Sequence, residues 1–349
     1  MSAKRRIIPV FVPHLGCPHD CVFCDQRGIS GTDATPSPED VFNQICDALQ
    51  KLPHGEAAQA AFYGGSFTAV PVRLQDALLD VANTALATVG AAHAGFGTIR
   101  ISTRPDYIND EIVARLVSKN VCTIELGAQS MDARVLFASE RGHTAEDTRN
   151  AAKVVKNSGT ELILQMMTGL PGDTPEKSVQ TARELIALKP DGVRIYPTVV
   201  VRGTRLHELW QSGEYKEHSV EAAVELCAKL VPMFEADEIP IIRLGLNPSD
   251  GLSSGDAVAG AYHPAFGELV RSRIYLETAR EILQAASVRL GSDVVLSVTR
   301  GQLSAAIGQH RRNIETLTRE FGLSSLKIVE NETQNHKILV VSVDNNHEM

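Results

Sequence analysis

The chain has 349 residues, with 34 Lys or Arg against 42 Asp or Glu, and a formal net charge of −8. This acidic balance excludes a globally basic nucleic-acid-binding protein but still allows a local basic patch. No run approaches the roughly 20 apolar residues of a membrane-spanning helix, and Pro9 and Pro13 interrupt the N-terminal apolar run, which lacks a signal-peptide cleavage site. We expect a cytoplasmic, non-membrane protein with one large and one small domain.

Three cysteines follow the apolar run Ile7–Val12, which is typical of a buried parallel strand. They have C-x3-C-x2-C spacing and are Cys17, Cys21 and Cys24. Three thiolates from one loop can bind an iron–sulfur cube, which normally takes four, and so leave one iron open to a ligand that is not protein. Zinc bound with His14 or His19 and redox-sensing thiols are the other interpretations. The scattered positions of the remaining cysteines argue against a disulfide framework.

Strands and helices alternate along the next two hundred residues. Ser37 followed by Pro38 predicts the start of a helix that ends near Lys51. Further strands are predicted at 59–63, 98–103, 121–126, 161–167, 193–196 and 241–244. Further helices are predicted at 74–88, 109–118, 144–159, from 173 onward with a capping-box pattern at Asp173–Glu176, and at 220–234. The long crossovers predict parallel strands, either in an open doubly wound sheet or in a barrel.

The pattern changes after a turn-rich patch at Gly251–Asp256. The sequence then predicts a helix at 267–287, a strand at 294–298, a helix ending near Phe321, and strands at 326–330 and 337–343. We therefore expect a large domain over residues 1–250 and a small α+β domain over 251–349. The tail after Asp344 is expected to be disordered.

Polar and glycine residues stand at the ends of several predicted strands. Gly64, Gly65 and Ser66 follow the second strand, and Gln129 follows the fourth. On their own such residues predict only tight turns and capped or solvated positions. Arg141, on the next connection, can fork onto a carboxylate, as recognition of a free amino-acid group requires.

The cysteine motif, with Phe23 before its last cysteine, resembles the signature of the radical S-adenosylmethionine (radical SAM) enzymes. The resemblance implies a 4Fe-4S cluster held by Cys17, Cys21 and Cys24, with S-adenosyl-L-methionine on the open iron. It implies reductive cleavage of that cofactor to a 5′-deoxyadenosyl radical, with a donor such as flavodoxin or ferredoxin. It also implies an open parallel (βα)6 partial TIM barrel, with its site at the C-terminal ends of the strands.

The same resemblance assigns cofactor-binding roles. Phe23 would lie against the adenosyl group, and Gly64, Gly65 and Ser66 would approach the amino group through their backbone. Gln129 and Arg141 match cofactor contacts of the coproporphyrinogen oxidase and elongator-type branches. Gln165 matches a ribose-contacting position that is acidic in some relatives, and an amide can also bond ribose hydroxyls.

A more specific resemblance runs from about Cys17 to Leu246. The segments Pro190–Thr198, Val201–Thr204 and Leu209–Tyr215 resemble the radical domain of the elongator catalytic subunit, which modifies wobble uridine in transfer RNA. The first cysteine gap is shorter here, and a different small domain stands where those enzymes carry an acetyltransferase domain. The fold and cofactor are expected to carry over, whereas the carboxymethylated product is not.

The small domain resembles a KH module at Ile307–Ile314, where KH domains have a G-x-x-G loop between two helices. The residues of this loop expected to bind RNA are Gly308, Gln309, His310, Arg311 and Arg312. Such loops clamp the sugar–phosphate backbone of single-stranded RNA. Arg311 replaces the second glycine, and a generic α+β appendage is the alternative.

We therefore expect a radical SAM enzyme that modifies RNA, with transfer RNA as its substrate. One alternative is the same chemistry on a small molecule such as a porphyrinogen, in which case the C-terminal domain would not bind RNA. Another is a non-catalytic RNA-binding iron–sulfur protein. The Gly64–Gly65 and Gln129 positions argue against that alternative because it needs no S-adenosylmethionine site.

Overall fold

The computed structural model describes residues 5–12, 17, 21–24, 36–53, 56–90, 97–247, 252–331 and 338–344. His14 and His19 of the zinc interpretation and the tail after Asp344 lie outside the described residues. The chain forms two compact units, Met1–Ser219 with Met233–Tyr262, and Val220–Pro232 with His263–Met349. The segment before His263 thus groups with the first unit, whereas the sequence suggested one boundary after residue 250. The assignment of the two parts as radical SAM and KH-like domains stays a prediction.

Parallel strands form the centre of the first unit. Its strands are β1 (Arg6–Phe11), β2 (Ala58–Tyr63), β3 (Thr98–Thr103), β4 (Val121–Gln129), β5 (Glu161–Thr168), β6 (Gly192–Pro197), β7 (Val199–Val201), β8 (Ile241–Leu244) and β9 (Ala257–Gly260). Strands β1 to β6 and β8 pair in parallel in the order β1-β2-β3-β4-β5-β6-β8. Strands β7 and β9 form a separate antiparallel pair. The predicted α/β class with an open parallel sheet is confirmed.

Helices connect these strands. They are α1 (Pro38–Gln50), α2 (Val72–Gly90), α3 (Asp110–Ser118), α4 (Ala133–Ala138), α5 (Ala145–Asn157), α6 (Pro175–Ala187), α7 (Arg205–Gln211) and α8 (Val220–Ala236). The sequence did not predict α4 and α7, because one or two turns give too little apolar periodicity. In the part of the chain that the structure describes, no helix is long and apolar enough to cross a membrane.

Side chains at the helix starts explain the predicted boundaries. The Ser37 hydroxyl accepts from the N–H of Asp40, and the Asp40 carboxylate accepts from the N–H of Ser37, closing a capping box. Thr174 caps α6 by accepting from the N–H of Lys177. The capping box predicted at α6 is wrong, because Lys177 stands where a carboxylate or amide would have to return the bond.

The two faces of the parallel sheet differ in polarity. Along β3, Ile99 and Ile101 are fully buried, while Arg100 between them points to the opposite face. Helices α2, α3, α5 and α6 pack against the sheet. The other face, which carries Arg100, Glu125 and Arg194, is polar, and we call it the inner face.

The second unit has a three-stranded sheet packed with helices. Strand β10 (Asp293–Thr299) pairs in parallel with β11 (Ser325–Asn331) and antiparallel with β12 (Ile338–Asp344). Its helices after α8 are α9 (Phe266–Ala285), α10 (Leu303–Ile307) and α11 (Arg312–Phe321). Leu283, Leu296 and Leu317 lie in its buried core. The KH-like loop predicted between two helices therefore joins α10 to α11.

Candidate active site

The cysteine motif lies on a turn that two other segments anchor. The N–H of Cys24 donates to the carbonyl of Cys21 at 2.9 Å. The N–H of Val22 donates to the carbonyl of Ser139 at 3.2 Å, and the carbonyl of Val22 accepts from the N–H of Leu206 at 2.7 Å. Ser139 ends α4 and Leu206 lies at the start of α7. The two helices that the sequence missed thus hold the turn in place.

The cysteines differ in exposure. Cys21 is buried, whereas Cys17 and Cys24 are half-buried. All six cysteines of the chain lie in the described part, and none forms a disulfide. Phe23 packs against a small apolar cluster that includes Val22. Its predicted position against the adenosyl group stays a prediction.

Hydrogen-bond donors surround two of the cysteines. Arg141 Nη1 donates to Cys21 Sγ at 3.4 Å, and the N–H of Ser66 donates to Cys17. Burial and the neighbouring Cys21 raise the pKa of the Cys17 thiol, while the Ser66 amide and the cations Arg141 and Arg104 partly oppose that rise. A coordinating metal deprotonates such a thiol outright through its own charge.

The residues present fit a 4Fe-4S cluster together with an anionic ligand. A cube takes one thiolate per iron, so its protein ligands need not converge on one point. Within the described ranges, no group of three His, Cys, Asp or Glu side chains is arranged about a single metal ion. Arg141 Nε and Arg104 Nη1 are buried, and no described group accepts from them. A buried orphan donor costs about 1–3 kcal/mol, which cluster sulfurs or a cofactor carboxylate would offset.

The glycine pair after β2 allows a close backbone approach. Gly64 has a φ of +102°, and a Cβ there would lie 3.2 Å from the backbone N and O of Val12. Ser66 is buried, and its Oγ lies 2.9 Å from Thr103 Oγ1, so its side chain serves the fold. The predicted contacts of Gly64, Gly65 and Ser66 with the cofactor stay a prediction.

The structure brings Gln129, Arg141 and Gln165 together at the ends of β4 and β5. Gln165 Nε2 donates to Gln129 Oε1 at 3.4 Å, and Arg141 Nη2 donates to the Gly127 carbonyl at 2.8 Å. A Cβ on Gly127 would lie 2.7 Å from Arg141 Nη2 and 3.0 Å from Gln129 Nε2. Glycine at this position is what allows the two side chains to converge. Their predicted contacts with S-adenosylmethionine stay predictions.

His143 is a buried neighbour of this group. Its Nε2 lies 3.2 Å from the Ala128 carbonyl, so the proton is on Nε2. Burial, and then the nearby Arg141 and Arg104, lower the pKa of His143 to about 4. The imidazole is therefore neutral at physiological pH and adds no charge beside the two arginines.

Arg104 is a site residue that sequence reasoning missed. It is almost fully buried, and its Nε and Nη2 donate to Asp106 Oδ1 and Oδ2, each at 2.9 Å. Its position directly after β3, at the same edge as Gly64 and Gln129, is a signal that could have found it. Its remaining nitrogen is the orphan donor near the cysteines.

The KH-like loop in the second unit has an unusual backbone. Gly308, His310 and Arg311 have φ values of +76°, +53° and +62°. A Cβ on Gly308 would lie 3.0 Å from Asn313 Cγ, so glycine fits there. A cavity of about 260 Å³ lies beside the loop, lined in part by Gln309, His310 and Arg312. The RNA-binding role of Gly308, Gln309, His310, Arg311 and Arg312 stays a prediction.

Two family profiles match the chain. The Radical SAM superfamily profile matches residues 11–185, and the Radical_SAM C-terminal domain profile matches residues 190–275. The first match contains the cysteine motif and strands β2 to β5 completely. The second begins just before β6 and extends into α9.

The chain is also similar to curated proteins. It is 28% identical over 255 residues to the tRNA uridine(34) acetyltransferase of Methanocaldococcus jannaschii, a match that covers 63% of this chain and 47% of the relative. It is 36% identical over 138 residues to Elongator complex protein 3 of Homo sapiens, covering 39% of this chain and 25% of the relative. The matched region thus covers about half the length of the archaeal relative and about a quarter of the human relative.

A solved structure has the same fold. The archaeal Elp3 of Methanocaldococcus infernus, with an N-terminal deletion, matches with a TM-score of 0.62 at 24% identity, over 80% of this chain and 64% of that chain. This likeness confirms the partial-barrel architecture. Because the superfamily profile alone matches half of the chain, over the cysteine motif and most of the parallel sheet, the protein belongs to the radical SAM superfamily.

Proposed function

We propose that this radical SAM enzyme, whose cofactors are a 4Fe-4S cluster and S-adenosyl-L-methionine, acts in the cytoplasm on transfer RNA. The observation that carries the proposal is the similarity to tRNA uridine(34) acetyltransferase over 63% of this chain. The Elongator complex protein 3 matches support the same substrate class.

The residues of this chain have distinct roles in the proposal. Cys17, Cys21 and Cys24 hold the cluster, and Arg141 neutralises charge beside it. Arg141 and Gln129 also hold the amino-acid part of the cofactor, while Gln165 contacts its ribose. When bound, the two cofactors supply a 5′-deoxyadenosyl radical, and the protein supplies positioning and exclusion of water.

The second unit is proposed to bind the RNA. The residues Gly308–Arg311 precede α11, which begins at Arg312 and whose first N–H groups and dipole favour phosphate. Arg311 and Arg312 are exposed, so their attraction for phosphate would depend on salt. A flavodoxin or ferredoxin remains the proposed electron donor.

The test is nucleoside mass spectrometry on transfer RNA. Unfractionated transfer RNA from a strain lacking the enzyme would be treated with reconstituted, reduced wild-type protein or with Cys24→Ala as control. A nucleoside that changes only with wild type supports the proposal. Unchanged transfer RNA, with 5′-deoxyadenosine still produced, would contradict it and favour a small-molecule substrate.

A further inference from the structure

A charged cluster occupies the inner face of the parallel sheet, and neither the cysteine motif nor the predicted cofactor contacts include it. We call it the inner cluster, and it consists of Tyr63, Arg100, Glu125, Arg194 and Tyr196. Its charged members are largely buried, with 9%, 2% and 14% of the Arg100, Glu125 and Arg194 side chains exposed. Buried charges are costly unless they are paired, so the partners of each member show what the cluster lacks.

One carboxylate oxygen accepts hydrogen bonds from three members of the inner cluster. Glu125 Oε1 accepts from Arg100 Nη1 at 2.6 Å, from Arg194 Nη2 at 2.9 Å and from the Tyr63 hydroxyl at 3.1 Å. Burial raises the pKa of Tyr63 far above its ordinary value, so its proton stays in the bond to Glu125. The cluster therefore holds two guanidinium cations against one carboxylate.

The surplus positive charge lies at Arg194. Its Nε is buried, and no group in the described ranges accepts from it. Arg243, the register partner of Arg194 on β8, donates its Nε to the Gly245 carbonyl at 3.0 Å and is not a member of the inner cluster. A desolvated excess of positive charge is relieved by a bound anion.

Tyr196 has a hydroxyl proton to offer to such an anion. Arg194 Nη1 donates to the Tyr196 oxygen at 3.2 Å. Because that oxygen already accepts from a cation, the O–H is polarised and is a strengthened donor. Arg194 and Tyr196 stand two residues apart on β6, so both face the same space.

The inner cluster adjoins the predicted cofactor position. Gln165 on β5 and Arg194 on β6 are register partners, so their side chains are neighbours on the inner face. Tyr63 directly precedes Gly64. A group bound at Arg194 would therefore share the inner face with a cofactor held at Gln129 and Gln165.

We propose that the inner cluster binds a singly charged oxyanion of the molecule that is attacked, with Arg194 and Tyr196 as the donors. Within the inner cluster, Arg100 and Arg194 exceed Glu125 by one positive charge, which matches one negative charge, as in a carboxylate or a phosphodiester. The carboxylate would come from a small co-substrate and the phosphodiester from RNA. The inference rests on the proposed radical chemistry at this site but not on transfer RNA as its substrate.

The test uses melting temperature as its readout, because a ligand that binds only the folded state raises it with concentration. The full-length, cluster-loaded protein would be titrated with sodium acetate or with the dinucleotide UpU, at constant ionic strength set by sodium chloride. We expect one of the two probes to stabilise wild type. The affinity of Arg194→Gln for that probe should be lower by about 10- to 100-fold, the effect of losing a charge-assisted hydrogen bond.

Controls separate binding from general damage. Arg115→Gln removes a part-buried arginine paired with Asp76 outside the cluster, and it should leave the affinity for the probe unchanged. Tyr196→Phe removes one hydroxyl and should lower the affinity for the probe by about 3- to 10-fold without preventing folding. Arg194→Lys keeps the charge but loses the planar guanidinium group. Its affinity for the probe should lie between those of wild type and Arg194→Gln.

Each outcome decides between sources of the anion or rejects the site. Stabilisation by acetate that depends on Arg194 identifies a carboxylate co-substrate, and the same result with UpU identifies an RNA phosphate. If neither probe stabilises wild type, or if Arg194→Gln and Tyr196→Phe respond as wild type does, the inner cluster is only a structural network. None of these results depends on whether transfer RNA is modified, so the proposed function can fail or hold separately.

Discussion

The cofactor end of the first unit and the KH-like loop of the second unit both carry arginines, but in opposite settings. At the cofactor end, Arg104 and Arg141 are buried and keep donors that no described group satisfies. At the loop, Arg311 and Arg312 are exposed to water. Buried orphan donors indicate a place shaped for a specific ligand, whereas exposed cations give weak, screened attraction. Substitutions should therefore have large effects in the first region and smaller, salt-dependent effects in the second.

The largest effect is expected at the cysteines. Cys21→Ala should abolish or destabilise the cluster, whereas wild type should bind about four irons after anaerobic reconstitution, since three thiolates and one exogenous ligand complete a cube. Iron content and the visible absorption of the cluster measure this. Cys46→Ala, on α1, is the control and should retain iron. One zinc per chain and no iron in wild type would contradict the cluster.

The next effect concerns Arg141. Arg141→Ala should weaken S-adenosylmethionine binding by about 1.5–3 kcal/mol, the contribution of a hydrogen bond to a charged group. Equilibrium binding to the cluster-loaded protein measures this, with the exposed Arg149→Ala as control. Unchanged affinity in Arg141→Ala would remove Arg141 from the cofactor site.

Gly127→Ala sharpens that result because it disturbs Arg141 without removing it. The new methyl would meet Arg141 Nη2 and Gln129 Nε2, and overpacking of this kind costs about 1–3 kcal/mol. If Gly127→Ala and Arg141→Ala act through one contact, the variant with both changes should lose less binding free energy for S-adenosylmethionine than the sum of the two single losses. Additive losses would mean that Gly127 acts elsewhere.

His143 gives a smaller, pH-dependent effect. Its pKa is about 4 in the folded protein against an ordinary 6.5, so the folded state binds the proton less readily than the unfolded state. Stability from this residue is fully present above pH 6.5 and declines as pH falls toward 4. When the pH falls from 7.5 to 5.5, the free energy of unfolding of wild type should decrease by about 1 kcal/mol more than that of His143→Gln. Denaturant unfolding measures both. Parallel pH profiles of the two proteins would show that His143 titrates normally.

The smallest effect is expected at the KH-like loop. Gln309→Asp with His310→Asp would place two carboxylates where phosphates are proposed to bind, and RNA affinity should fall most at low salt. Gln284→Asp with Ser324→Asp adds the same charge at exposed positions elsewhere in the second unit and is the matched control. If the loop variant binds RNA as the control does, the loop is not an RNA clamp.

Local sequence signals predicted most of the fold. Continuous apolar runs marked the parallel strands, and capping residues such as Ser37 and Thr144 marked helix starts, because both depend on neighbours in the chain. The strand β4 runs three residues beyond the predicted Leu126, through a register shift near Gly127. Such an irregularity depends on pairing with β5, which a single segment does not reveal.

The site was only partly predictable for the same reason. The cysteines and the glycine pair form local motifs, so they stand out in the sequence. Arg104, Arg194 and Tyr196 become related only when different strands place them on one edge or one face. Helix α7 holds the cysteine turn from more than a hundred residues away, through the bond from Leu206 to Val22.

The most direct test of the assigned cofactor site is cleavage of S-adenosylmethionine without any RNA. Reconstituted wild-type protein, reduced with dithionite, should produce 5′-deoxyadenosine slowly, and Cys21→Ala should produce none. Liquid chromatography with mass spectrometry measures the product. A wild-type protein that carries its full cluster but forms no more 5′-deoxyadenosine than Cys21→Ala would contradict the assignment of Cys17, Cys21, Cys24 and Arg141 to a working cofactor site.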